Sequence, residues 1–136
     1  MMLSRIDHVA ITVADLEANC AFYDRLFGAE VLMDHTPNGV PKVRQIRVGG
    51  GPMLSVHQVG NGINLVAAKP TVGAIDMCFE WGGSIDDAVA LLDANGVTII
   101  GGPVGRTLSD GRPSQSVYFR DPDDNLLELM AADPAQ

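Results

Sequence analysis

The chain has 136 residues, 46% apolar and 19% charged, which fits one globular domain with an ordinary core and excludes a disordered chain. Nine basic residues against seventeen acidic ones give a net charge of −8, which argues against nucleic acid and against an anionic membrane surface as partners. No apolar run reaches the roughly 18 residues that a bilayer span requires. Residues 1–5 are too short and polar for a signal peptide, and Cys20 and Cys78 lie among apolar neighbours and read as buried free thiols. The expected compartment is the cytoplasm.

Residues 5–13 alternate and are rich in β-branched types, which predicts a strand. Asp15 is a good N-cap for a helix over about 16–27, with Leu16, Cys20, Tyr23 and Phe27 near helical spacing and Gly28 as the stop. Strands are expected at 29–35, 42–48 and 53–59, with turns at Asn38-Gly39 and Gly49-Gly50-Gly51. Residues 60–72 are polar and turn-rich and read as a linker. A strand at 74–81 follows, then a helix over about 85–95 that opens at Ser84 and Asp87 in a capping-box-like pattern and ends at Gly96. Strands at 97–103, 114–120 and 125–131 complete the chain, the last two joined by a tight turn at Asp121-Pro122-Asp123-Asp124-Asn125.

The same unit is thus written twice. At one constant offset His8 falls on Asp76, Gly28 on Gly96 and Val31 on Ile99. The expectation is a single α+β domain over 1–136, with βαβββ modules at about 4–59 and 73–131. Their sheets form a curved, open, barrel-like whole with the helices outside.

Side chains alternate across a strand, so each strand has a helix-facing side and an opposite side. Val9, Ile11 and Val13 belong to the first, and His8, Ala10 and Thr12 to the second. By the same alternation Met77, Phe79 and Trp81 face the helix, while Asp76, Cys78 and Glu80 oppose them. Ser55 shares a face with His57, and Leu126, Glu128 and Met130 share another. Four strands therefore offer His8, His57, Asp76 and Glu128 to one concave side. Two imidazoles and two carboxylates suit a divalent ion: imidazole suits zinc, nickel, copper and iron, and carboxylate widens the choice to manganese. Glu128, an acid within an apolar strand, calls for a cation or metal partner, because a lone buried carboxylate is costly. Cys78 reads as a packing residue, His35 as exposed, and Arg44, Arg47, Arg106 and Arg112 as surface residues.

Two stretches carry a family likeness. Asp7-His8-Val9-Ala10-Ile11-Thr12-Val13, with Ala21-Phe22-Tyr23-Asp24-Arg25-Leu26-Phe27-Gly28, resembles the opening of the vicinal oxygen chelate superfamily. Val117-Tyr118-Phe119-Arg120-Asp121-Pro122, running on to Glu128-Leu129, resembles its closing motif. That superfamily holds glyoxalase I, fosfomycin and bleomycin resistance proteins, methylmalonyl-CoA epimerase and extradiol dioxygenases. Leu54-Ser55-Val56-His57-Gln58 and Ile75-Asp76-Met77-Cys78-Phe79 are closer to its glyoxalase-domain-containing, or "virulence protein", branch. The resemblance implies metal ligands on the first, fourth, fifth and eighth strands. His8 and Glu128 match the first and last. Asp76 stands where the fifth strand usually has His. The fourth-strand position falls near Ser55, with His57 two residues on and on the same face.

The function expected is a divalent-metal-dependent lyase or isomerase, with nickel, zinc, manganese or iron holding a small substrate through neighbouring oxygens. Glu128 or Asp76 would move the proton. An extradiol-type Fe(II) dioxygenase using His8, His57 and Glu128, and a non-catalytic module binding an antibiotic or metabolite, are the alternatives. The superfamily's habit implies a homodimer.

Overall fold

The structure is a computed structural model, and it describes residues 2–135. It has the α+β class expected, and its chain divides into two compact units, Met1–Ala74 and Ile75–Gln136. No helix among the described residues is long and apolar enough to cross a membrane.

The first unit contains β1 (His8–Val13), α1 (Leu16–Phe27), β2 (Glu30–His35), β3 (Val43–Arg47) and β4 (Met53–Gln58). They form an open four-stranded mixed sheet in the order β1-β4-β3-β2. β1 runs parallel to β4 and the other pairs are antiparallel. The parallel pairing needs a crossover, which α1 supplies. Asp15 caps α1 by accepting from Ala18 N–H at 3.1 Å, and Gly28, at φ 68°, ends it. The helix packs on β3 and β4. Ile11, Val13, Leu16, Tyr23, Ile46 and Val56 are buried between helix and sheet.

The second unit repeats this plan with β5 (Asp76–Trp81), α2 (Ile85–Ala94), β6 (Gly101–Thr107), β7 (Pro113–Arg120) and β8 (Leu126–Ala132). Its order is β5-β8-β7-β6, again with the first and last strands parallel. Ser84 caps α2 by accepting from Asp87 N–H at 3.1 Å. α2 packs on β7 and β8, and Leu92, Val117, Phe119, Leu127 and Leu129 form the core.

Some expectations shift. The sixth strand starts at Gly101 rather than 97, because residues 97–99 leave α2 without a strand partner and pairing begins where Ile100 N–H reaches Tyr118 O. Gly101-Gly102-Pro103, which reads as a strand end, instead forms an irregularity between Gly101 and Val104. Proline is tolerated there because β6 is the edge strand. Arg44 is not a surface residue: its side chain is only 12% exposed and is held by Glu17 of α1 at 2.7 Å and Asp34 of β2 at 3.2 Å. Of the two free cysteines Cys20 is buried, but Cys78 is exposed, since it lies on the sheet face opposite α2.

Candidate functional site

In the first unit, the register pairs His8 with Met53, Ala10 with Ser55 and Thr12 with His57. His8, Thr12, Ser55 and His57 therefore share the face turned away from α1. Gln58, the last residue of β4, ties the end of that strand to the β1–α1 turn. Its Nε2 donates to Ala14 O at 2.6 Å, and its Oε1 accepts from Leu16 N–H at 2.8 Å.

The two imidazoles on this face are set up in opposite ways. His8 Nδ1 lies 2.9 Å from Asp7 Oδ2. The contact with His8 holds the Asp7 carboxyl below its usual range, so the carboxylate is ionised and only accepts. In the neutral form of His8 the proton therefore sits on Nδ1 and the lone pair on Nε2. A carboxylate behind a ligating imidazole is a common way to fix a ligand's tautomer and orientation. His57 has the reverse arrangement. Its Nδ1 lies 3.3 Å from Asn61 Nδ2, and its Nε2 lies 3.4 Å from Ser55 Oγ. Burial, followed by the charge of His8, lowers the His57 pKa and favours the neutral ring.

In the second unit, Asp76 pairs with Leu126, and Glu128 lies between Cys78 and Tyr118. Cys78 and Glu128 are register partners on β5 and β8, and the thiol pKa is pushed up to about 12 by the partial loss of solvent around the sulfur, then by the charges of Glu128 and Asp76. At neutral pH Cys78 is therefore a thiol, neither a nucleophile nor a thiolate ligand. Across the other edge of Glu128, the Tyr118 hydroxyl accepts from Arg106 Nε at 3.0 Å.

The registers show where the duplication was altered. Met53 and Leu126 are equivalent, so Ser55 holds in the first unit the place that Glu128 holds in the second. The four expected ligands divide into His8 and His57 in one unit and Asp76 and Glu128 in the other. Among the described residues no three His, Cys, Asp or Glu side chains gather into a metal-binding group.

Two residues here were invisible as site residues in the sequence. Asp7 precedes the first strand, and only its contact with His8 marks it. Asn61 stands in Gly60-Asn61-Gly62, which reads as plain linker, although an Asn between two glycines is a signal for a fixed turn.

Comparison with known proteins agrees with this architecture. Residues 5–129 match the family model described as the Glyoxalase/Bleomycin resistance protein/Dioxygenase superfamily. The chain is 33% identical over 129 residues to Virulence protein STM3117 of Salmonella typhimurium, covering 95% of this chain and 85% of that protein. It is 35% identical over 131 residues to the glyoxalase domain-containing protein RDO1 of Mycosarcoma maydis, covering 96% and 70%. Among solved structures, the integron cassette protein VCH_CASS1 from the mobile metagenome of V. cholerae is 34% identical, with a TM-score of 0.84 and 98% of each chain covered. A duplicated βαβββ unit, a family-model match over residues 5–129 and relatives 33% and 35% identical over nearly all of the sequence place this chain in the glyoxalase/bleomycin resistance protein/dioxygenase superfamily.

Proposed function

We propose that the protein is a divalent-metal-dependent lyase or isomerase acting on a small substrate through two neighbouring oxygens. The observation that carries the reading is the Asp7–His8 contact, which leaves the His8 Nε2 lone pair pointing away from its own carboxylate partner. His8, Asp76 and Glu128 would hold the ion, a mixed nitrogen–oxygen set suited to nickel, zinc, manganese or iron. His57, a ligand candidate by sequence, has both ring nitrogens facing hydrogen-bond partners, and the reading gives it a different part.

A bound divalent ion in such a site acts as a Lewis acid that stabilises an oxyanion on the substrate. The chain's own residues would do the rest. Asp76 or Glu128 takes a proton from the carbon next to the substrate oxygens and returns it. Cys78 faces Glu128 across the β5–β8 pairing and stays a neutral thiol beside it. The substrate is a small molecule and the working form a homodimer, as the sequence reading holds.

Elemental analysis of purified protein tests the proposal. Stoichiometric nickel, zinc, manganese or iron, lost in His8→Ala and Glu128→Ala, is the expected result. Wild-type protein that takes up none of these ions overturns it in favour of a non-catalytic binding module. Iron with oxygen uptake on catechols points instead to the dioxygenase.

A further inference from the structure

A cavity of about 160 Å³ opens in the first unit beside the ends of β1 and β4 and the 59–70 segment. Thr12, His57 and Asn61 form its polar wall, and Ile63, Val66 and Pro70 are among its apolar lining. Thr12 and His57 are register partners on adjacent strands, so both project into it from one side.

Asn61 cannot be turned over. Its Oδ1 accepts from the backbone N–H of Ile63 at 3.0 Å, and its Nδ2 donates to the backbone carbonyl of Lys42 at 3.0 Å. A backbone N–H only donates and a carbonyl only accepts, so the amide orientation is settled by chemistry. The second hydrogen of Nδ2 therefore meets His57 Nδ1, which must be the acceptor. That leaves the ring proton of neutral His57 on Nε2. Its partner within the chain, Ser55 Oγ, is 3.4 Å away. This is longer than the roughly 2.9–3.0 Å of a well-made N–H···O bond, so an oxygen entering the cavity competes well for that proton.

We infer that His57 is a ligand-binding hydrogen-bond donor, positioned by Asn61, which takes the carbonyl-type oxygen of a small molecule whose short apolar part rests on Ile63, Val66 and Pro70. Nε2 of a ring held this way has no lone pair for a metal. The inference goes beyond the metal reading and does not need it.

The test uses full-length protein labelled with ¹⁵N-histidine, with isobutyramide as the probe. Long-range ¹H–¹⁵N correlation places the His57 proton on Nε2 in the wild type. Asn61→Asp, which presents an acceptor instead of a donor, moves a proton onto Nδ1. Isobutyramide shifts the His57 Nε2–H resonance saturably, and Asn61→Asp weakens that binding at least tenfold. Val66→Trp, a change at a half-exposed residue that leaves the melting curve intact, fills the cavity and abolishes the shift. A wild-type proton on Nδ1, or a probe response unchanged in Val66→Trp, overturns the inference. Zinc content separates the two readings. Zinc lost in His57→Gln but retained in Asn61→Asp makes His57 a ligand and overturns this inference alone. Absence of zinc, nickel, manganese and iron from wild-type protein that still shows the probe shift removes the metal reading and leaves this one standing.

Discussion

His8 and Asp76 occupy the same position of a duplicated unit: each opens the strand before its helix, His8 opposite Met53 and Asp76 opposite Leu126. The duplication supplies the backbone twice and lets the side chain diverge. If both residues serve one ion, Asp76→Ala abolishes metal uptake. Asp76→His preserves it and moves preference from manganese toward zinc and nickel, since imidazole is the softer donor. Metal competition followed by elemental analysis reads both outcomes. Equal manganese and zinc uptake by wild type and Asp76→His would show that Asp76 is not a ligand.

Asp7 acts one step behind His8. Its side chain is 68% exposed, so Asp7→Ala leaves the melting temperature unchanged. Without the carboxylate the His8 ring loses its fixed tautomer and orientation, and metal affinity falls about 10- to 100-fold. Calorimetric zinc titration measures the change. A loss smaller than about twofold would leave the 2.9 Å contact without a part in ligation.

How much of this was legible in the sequence follows from the range of the forces involved. Strand alternation is local, and it put Ser55 on the same face as His57, where the two side chains meet. Caps are local too, and Asp15, Ser84 and Gly28 did what their residue types imply. The sixth strand slipped because its extent depends on pairing with Tyr118 across the sheet, and an edge strand admits a glycine–proline irregularity that a central strand would not. Asn61 was missed for the same reason. Its partners at Lys42 and His57 lie far off or on another element, and no pattern within Gly60-Asn61-Gly62 announces them. Arg44 read as surface because nothing in Val43-Arg44-Gln45 hints at the two acids, on α1 and β2, that neutralise it.

Cys78 is exposed yet expected to be inert. A thiol pushed up to about 12 is ionised in only about one molecule in ten thousand at pH 8, against a sizeable fraction of an ordinary cysteine. In metal-free protein, iodoacetamide at pH 8 should therefore modify Cys78 far more slowly than glutathione. Glu128→Gln removes a negative charge that favours the thiol, so the pKa falls and alkylation accelerates. Mass spectrometry of timed digests follows the rate, and an unchanged or slower rate in Glu128→Gln would contradict the Cys78–Glu128 contact.

Asp124 carries a local cost. It sits at φ 62°, a conformation glycine adopts without penalty. An L-residue there loses about 1–2 kcal/mol. Glycine gives back part of the gain through the greater freedom of the unfolded chain, about 0.4–1 kcal/mol. Asp124→Gly should thus stabilise the protein by about 0.5–1 kcal/mol, seen as a higher urea midpoint with an unchanged slope. A lower midpoint would mean that the Asp124 side chain makes a contribution larger than its backbone strain.

Asn125 ties two parts of the second unit together. It is 1% exposed. Its Nδ2 donates to Asp121 Oδ2 at 2.9 Å, and its Oδ1 accepts from the N–H of Ile75 at 3.0 Å. One side chain thereby fastens the turn before β8 to the residue before β5, and so fixes Glu128 and Asp76 on their adjacent strands. Asn125→Ala removes both bonds, leaves a backbone N–H and a buried carboxylate oxygen without this partner, and opens a small void. The expected cost is about 2–4 kcal/mol from two lost bonds with buried polar groups stranded. Asn125→Asp separates the two contributions. It retains an acceptor for Ile75 but sets a carboxylate against Asp121, so it should be destabilised at neutral pH and recover as the pH falls toward the carboxylate range, where one of the pair takes a proton. Urea denaturation of both variants at pH 7 and pH 5 reads the pattern. If Asn125→Asp is no less stable than wild type at pH 7, the Asp121 contact does not hold the turn, and the placing of Glu128 beside β5 rests on the strand register alone.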